Sequence, residues 1–232
     1  MKWLLPLLIL TGPAAYAADA PLAPFHAEYQ VLRNGKEIGH AVLDLHAGSG
    51  GNWEFSSETH GTAGMAALVG LDVVEKSAFR WQDGQPECLH YSYAQKAAIK
   101  SRDLVIDCNW SAHAAQVDDN GRPASVALEA PSMDRHLVTL ALMHDLAHAS
   151  APFDYRVVEK DKVSDQRYVE SAREMLALPA GNIEAVKIER DRGADAKRRT
   201  TSWFAPARGY LPVQIEQVEK NDVITMRLAS MR

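Results

Sequence analysis

The chain has 232 residues, with 25 Lys and Arg against 30 Asp and Glu, a formal net charge of −5 and 47% hydrophobic residues. This mild acidity disfavours nucleic acid as a partner, and the length supports a core that needs neither metals nor many crosslinks. With only two cysteines, Cys88 and Cys108, a disulfide-dense scaffold is excluded.

The chain opens Met1-Lys2-Trp3, continues through an apolar run over 4–10, and reaches the small residues Ala14, Ala15 and Ala17. One cation, a short apolar run and an Ala-x-Ala pattern define a secretory signal peptide over 1–17, cleaved before Ala18. The run is far shorter than the roughly 20 residues that span a bilayer, so no transmembrane segment is expected in the mature chain. No cysteine stands at the cleavage point, which argues against a lipid anchor. The expectation is a soluble exported protein, periplasmic in a Gram-negative cell, with a short lead over 18–24 and a single β-rich domain over 25–232.

Residues 25–32 alternate Phe25, Ala27, Tyr29 and Val31 against polar residues, a strand with one buried face. Asn34-Gly35 predicts a two-residue hairpin turn, because a type I′ turn needs positive φ at both positions. The return strand over 36–46 is expected to pair Val31 with Ile38. Its apolar residues then change face, which Gly39 would explain as a bulge. A third strand spans 53–59. Residues 61–70 are apolar, small and uncharged, predicting a short helix or loop packed on the sheet, with a lid over a ligand cavity as the sharper alternative. Strands over 71–81, 87–93, 103–112 and 126–129 follow, with turns at Asp83-Gly84 and Asn120-Gly121.

Residues 132–149 form the one long helix expected, with Ser132 as cap and Met133, Leu137, Leu140, Ala141 and Leu146 on a helical period. Further strands are expected over 153–158, 166–172, 183–190, 197–204, 211–215 and 224–228, with 176–182 as a loop or turn. About ten to twelve strands and one helix predict a mainly β, α+β fold. Its architecture would be a strongly curved antiparallel sheet or incomplete β-barrel with the helix packed in or against it.

A hairpin tip at Ala97-Ala98-Ile99 would set Cys88 opposite Cys108, so a disulfide is the leading expectation for an exported chain. Two free thiols, or a redox or metal role, are the alternatives. His144 and His148 lie at i and i+4 on the helix, a spacing that can chelate zinc, but Asp145 is shorter than the Glu of a metalloprotease motif and no third ligand follows. Two histidines at a helix C-terminus also suit its partial negative charge. No Gly-x-Ser-x-Gly elbow is present. Arg190, Arg192 and Lys197-Arg198-Arg199 could meet an anionic headgroup, although Glu189, Asp191 and Asp195 interleave with them as at a solvated hairpin tip. Phe55, Phe79, Trp81, Tyr91, Tyr93, Trp203, Phe204 and Tyr210 are spread over several strands and could line an apolar cavity in a curved sheet.

Several stretches look familiar together: Phe25-x-Ala27-x-Tyr29-x-Val31-x-x-Asn34-Gly35-x-x-x-Gly39, then Leu178-Pro179-Ala180-Gly181-Asn182-Ile183-Glu184-Ala185-Val186-Lys187, then Trp203-Phe204-Ala205-Pro206 and Gly209-Tyr210-Leu211-Pro212-Val213. With them the mature chain resembles the bacterial exported family catalogued as domain of unknown function 3108. The resemblance implies export and a β-rich fold, brings no assigned activity, and suggests by analogy the curved-sheet carriers of lipids or lipoproteins. The chain departs from the pattern at His144, where a basic residue such as Arg is expected before Asp145-Leu146.

The leading expectation is a non-catalytic protein that binds an apolar or amphipathic envelope ligand, a lipid or acyl chain, without a cofactor. Phe55, Phe79, Trp81, Tyr91, Tyr93, Trp203 and Tyr210 are its candidate ligand-binding residues. The alternatives are a metal-dependent hydrolase using His144 and His148, and a structural or adaptor protein of the envelope.

Overall fold

The computed structural model describes residues 22–98, 101–193 and 196–232. The expected signal peptide, Ile99 of the expected hairpin tip and Asp195 lie outside them. The first eight strands are β1 (Phe25–Arg33), β2 (Lys36–Ala47), β3 (Trp53–Gly61), β4 (Asp72–Gln82), β5 (Gln85–Lys96), β6 (Arg102–Asn109), β7 (Ala114–Asp119) and β8 (Pro123–Ala127). Six follow: β9 (Phe153–Val158), β10 (Val163–Leu178), β11 (Gly181–Asp191), β12 (Arg198–Ala205), β13 (Leu211–Glu219) and β14 (Asp222–Met231). Two α-helices, α1 (Gly64–Leu68) and α2 (Val138–Ala147), interrupt the series.

All strands join one 14-stranded sheet in the order β8-β7-β6-β5-β4-β3-β2-β1-β14-β13-β12-β11-β10-β9, antiparallel throughout. Every connection but one therefore joins neighbours. The exception runs from edge strand β8 to edge strand β9 and carries α2.

Local sequence explains the hairpins. Asn34-Gly35, Asp83-Gly84 and Asn120-Gly121 all have positive φ at both residues, as two-residue turns between twisted strands require. The β1–β2 register shifts between Val31 and Leu32, so Val31 pairs with Gly39 rather than with Ile38, and Ile38 is the extra residue of the bulge. Glycine is required at 39, because a Cβ there would stand 2.0 Å from the His60 carbonyl oxygen. The Ile38 carbonyl, turned out of the ladder, accepts from the amides of Thr62 and Ala63 and so anchors the turn into α1.

The long helix begins later than its periodicity suggests. Ser132 and Met133 are extended, and α2 starts only at Val138. Their backbone groups find partners in both halves of the sheet: Cys88 N donates to Ser132 O, Met133 N to Arg156 O, and Val158 N to Met133 O. Those bonds replace the helical ones that residues 132–137 would otherwise make. The segment thus bridges β5 and β9, and a Lys160–Asp119 ion pair also links the two edges. The sheet is rolled into a nearly closed, barrel-like form.

One end of the roll, here the upper end, is filled. Phe25, Tyr29, Leu45, Phe55, Phe79, Tyr91, Phe204, Leu211 and Val213 meet Leu137, Leu140, Ala141 and Leu146 of the crossing segment and α2. Helix α2 touches β5, β9 and β13 and is buried on nearly every side, which is why it shows no narrow apolar stripe. Each fully buried Leu contributes about 1.5–3 kcal/mol.

Candidate functional site

Successive residues of a strand face opposite sides of the sheet, so the inner face can be followed strand by strand. On β3 it reads Phe55, Ser57, Thr59; on β4, Ser77, Glu75, Val73; on β5, Tyr91, Tyr93, Gln95. Across the roll it reads Phe204, Ser202, Thr200 on β12, Val213, Ile215, Gln217 on β13, and Leu228, Met226, Ile224 on β14. The first residue of each set is buried and the other two are half-buried. The transition falls at one level on all six strands. The lower inner face is therefore less tightly covered on these six strands, Ile215, Ile224 and Met226 included, whereas Val31, Ala41, Leu104 and Ile188, paired at the same level on β1, β2, β6 and β11, are buried.

The lower end of the roll carries α1. This helix folds over the end of β3, where Gly61 leaves room for it: a Cβ there would lie 2.8 Å from Ala66 Cβ. Ala66 is buried, whereas Met65 and Leu68 are 62% and 79% exposed. The uncharged stretch over 61–70 is thus a helix on the sheet, as expected, and it presents two large apolar side chains to solvent at the rim.

Charge is concentrated on one wall. Arg135 projects from the crossing segment, and its Nε donates to Glu75 Oε1 at 2.8 Å. Its guanidinium stands 4.6 Å from the centroid of the Tyr93 ring, over which Arg102 also lies at 5.6 Å. Arg198, on the opposite side of the roll, is near enough for its charge to be felt by both Arg135 and Tyr93. Tyr91 Oη donates to Glu75 Oε1 at 2.5 Å. Burial alone would raise the Glu75 carboxyl, but its neighbours His136 and Arg135 and the bonds from Tyr91 and Arg135 hold it below its ordinary range. Burial and the Glu75 charge together push the Tyr91 phenol far up.

Above this wall lies a buried polar cluster. Asp134 Oδ1 accepts from Ser77 Oγ at 2.9 Å and from the amides of His136 and Leu137 at 2.9 and 3.2 Å. Because Ser77 donates to Asp134, its oxygen accepts from His136 Nδ1 at 3.2 Å. The His136 ring stacks on Phe55 with centroids 4.0 Å apart. Burial raises Asp134 to about 7 and lowers His136 to about 4, so both are neutral near pH 6. Ser, His and Asp meet here without forming a catalytic triad, since the Asp134 carboxyl group accepts from the serine and two backbone amides rather than from the imidazole. The arrangement fixes the partition in place.

The sequence-predicted aromatics divide. Phe55, Phe79 and Tyr91 fill the upper core, Trp81 packs edge-on to Phe79 and against His144, and Tyr93 is half-buried on the lower inner face. Trp203 lies on the other face of β12 from Ser202, with Lys187 over its ring and its Nε1 bonded to Glu174. Tyr210, at φ 56°, borders a groove of about 600 Å³ near the end of α2 with Leu146, Phe153 and Tyr168. The cations at that groove are already paired, Arg167 with Asp154 and Arg173 with Glu170.

His144 and His148 stack at 4.3 Å, with His148 Nδ1 on the His144 carbonyl and His144 Nδ1 on Asp145. Among the described residues no third metal-ligating group joins them. Cys88 and Cys108 are free thiols whose sulfurs lie 2.8 Å apart. The β5–β6 register is one residue off the expected one, pairing His90 with Asp107, and a bulge at Leu89 brings the cysteines face to face nevertheless.

Glu75, Arg102 and Arg135 were not singled out by sequence. The one available signal was that Arg102 and Arg198 begin strands on the inward phase.

A family model described as Protein of unknown function (DUF3108) matches residues 26–229. No curated protein matches the chain. Among solved structures, the chain is similar to a β-barrel-like protein of domain of unknown function DUF1849 from Brucella abortus, at TM-score 0.56 and 10% identity over 90% of this chain and 97% of that one. A candidate lipoprotein from Parabacteroides distasonis aligns at TM-score 0.36 and 9% identity over 91% and 96% of the two chains. The first of these likenesses is one of fold. Among the described residues no helix is long and apolar enough to cross a membrane.

Proposed function

The chain belongs to the DUF3108 family, and since that membership supplies a fold without an activity, we propose that the protein is a non-catalytic carrier holding one amphipathic envelope ligand, a lipid or acyl chain, in the lower lumen. The observation that carries this reading is the change, at one level, from buried to half-buried inner-face residues on six strands. The reading takes the less tightly covered lower half of the roll, between the packed upper core and α1, as a lumen in which Ile215, Ile224 and Met226 line an apolar channel of the kind that small β-barrels use for one ligand. Met65 and Leu68 at the rim give an acyl chain an apolar lip to cross. The N-terminal sequence supports a periplasmic location, where such ligands are in transit.

The test is titration with a polarity-sensitive fluorescent fatty acid, comparing wild type with Ser202→Trp. Ser202 faces the lumen and is half-buried, so an indole there fills the channel without displacing core atoms. Saturable binding by wild type and its loss in the variant, at equal thermal stability, is the expected result. Equal binding by both proteins would place the ligand elsewhere.

A further inference from the structure

The lumen has a chemically distinct wall. Arg135 and Arg102 both lie over Tyr93, Arg198 approaches from β12, and Arg190 extends the same face of β11 opposite Tyr168. Glu75 pairs with Arg135 and Glu219 stands opposite Arg198 in the ladder, while Asp119, the acid near Arg102, is engaged by Lys160. Cations therefore outnumber free acids on this wall of a chain whose net charge is −5. Like charges gathered in a concave, partly dehydrated place repel one another, and an anion seated among them relieves that repulsion. Burial and the Arg190 charge lower Arg192 below the ordinary arginine range, and burial lowers Arg198, where the Arg192 and Arg135 charges act in the same direction and Glu219 opposes them. Guanidinium forks fit the oxygens of a phosphoryl group in pairs, and two of them lie over the Tyr93 ring.

We propose that Arg102, Arg135 and Arg198 form a headgroup site for a phosphoryl anion, carried by an amphipathic ligand whose apolar part lies along Ile215, Ile224 and Met226. The proposal rests on the carrier reading above and adds the class of headgroup. The ligand lies with its phosphoryl group on Tyr93 and the guanidiniums and its chains toward the lip of α1. Arg135 changes partner on binding, sharing its fork between Glu75 and the anion, which fits a site that must release its cargo.

Calorimetric titration of the mature protein tests this with four probes: a short-chain phosphatidic acid below its micelle concentration, the uncharged diacylglycerol of the same chains, a carboxylate amphiphile of equal length, and inorganic phosphate. Wild type should bind the phosphatidic acid at least about tenfold more tightly than the diacylglycerol or the carboxylate, and Arg135→Gln and Arg198→Gln should each remove about that factor while leaving the diacylglycerol unchanged. Arg135→Lys should recover only part of it, and added salt should weaken phosphatidic acid alone. Arg198 is exposed, so Arg198→Gln should melt as wild type does; Arg135→Gln withdraws the partner of Glu75 and should melt lower, and Arg135→Lys, which keeps the charge, separates that loss from the loss of binding.

Equal affinity for phosphatidic acid and diacylglycerol, indifferent to both substitutions, would overturn the headgroup site while leaving the carrier intact. Equal affinity for the carboxylate would overturn the phosphoryl assignment. Inorganic phosphate binding as tightly as phosphatidic acid would overturn an amphipathic cargo, and failure of every amphiphile to bind would overturn both readings.

Discussion

The buried Asp134–His136 pair makes a prediction whose sign can be worked through. Burial raises Asp134 from 3.8 to about 7 and lowers His136 from 6.5 to about 4, with Glu75 and Arg135 as the charged neighbours facing them. Between pH 4 and 6.5 the unfolded chain holds its proton on the histidine, and the folded chain holds one on the aspartic acid. The two states bind equal numbers of protons, so the pair leaves stability nearly flat across this window. Removing either member exposes the other. In Asp134→Asn only the histidine remains, the unfolded chain binds the extra proton, and stability relative to wild type should rise from pH 4 to 6.5 by up to about 3 kcal/mol. In His136→Asn only the acid remains, the folded chain binds the extra proton, and relative stability should fall from pH 4 to 7 by up to about 4 kcal/mol. Both amides can keep the hydrogen bond to Ser77. Urea unfolding of the three proteins across this range measures the differences free of other titrating groups. Profiles parallel to wild type for both variants would refute the neutral pair.

Three further outcomes follow from the fold and site. Gly39→Ala should cost about 2 kcal/mol or more in urea unfolding, because its methyl would collide with the His60 carbonyl at the bulge; an unchanged midpoint would contradict the bulge geometry. Cys88 and Cys108, free and adjacent in the structure, are expected to be joined in protein exported to an oxidising compartment, so alkylation should label neither before reduction and both after it. Labelling of both without reductant would remove the disulfide. Leu68→Asp at the rim should slow transfer of a fluorescent acyl probe from vesicles to the protein several-fold while leaving thermal stability unchanged; an unaltered rate would deny α1 a part in loading.

The strands and hairpins were largely legible because their signals are local. Asn34-Gly35, Asp83-Gly84 and Asn120-Gly121 specify turns through φ alone, and Gly39 marked a bulge through the change of face that follows it. Of the 14 strands, β7 alone had no counterpart among the expected spans, because it is short and weakly alternating, Ala-Ala-Gln-Val-Asp-Asp. The start of α2 was not legible, since Ser132 and Met133 read as helix until two strands distant in sequence supply their hydrogen-bond partners. Aromatic residues proved a poor guide to the site: Phe55, Phe79 and Tyr91 are the volume that fills the upper roll. Arg135 looked like one charge on an amphipathic helix. It acquires meaning only where Tyr93 on β5 and Arg198 on β12, far apart in the strand order, are folded toward one another.

Native mass spectrometry of the protein gently released from its own compartment tests the central claim most directly. The account predicts a single bound species of lipid mass on wild type, removed by organic solvent and absent from Ser202→Trp. A ligand-free mass for both proteins, unchanged after incubation with lipid extract, would contradict a carrier with an open lumen.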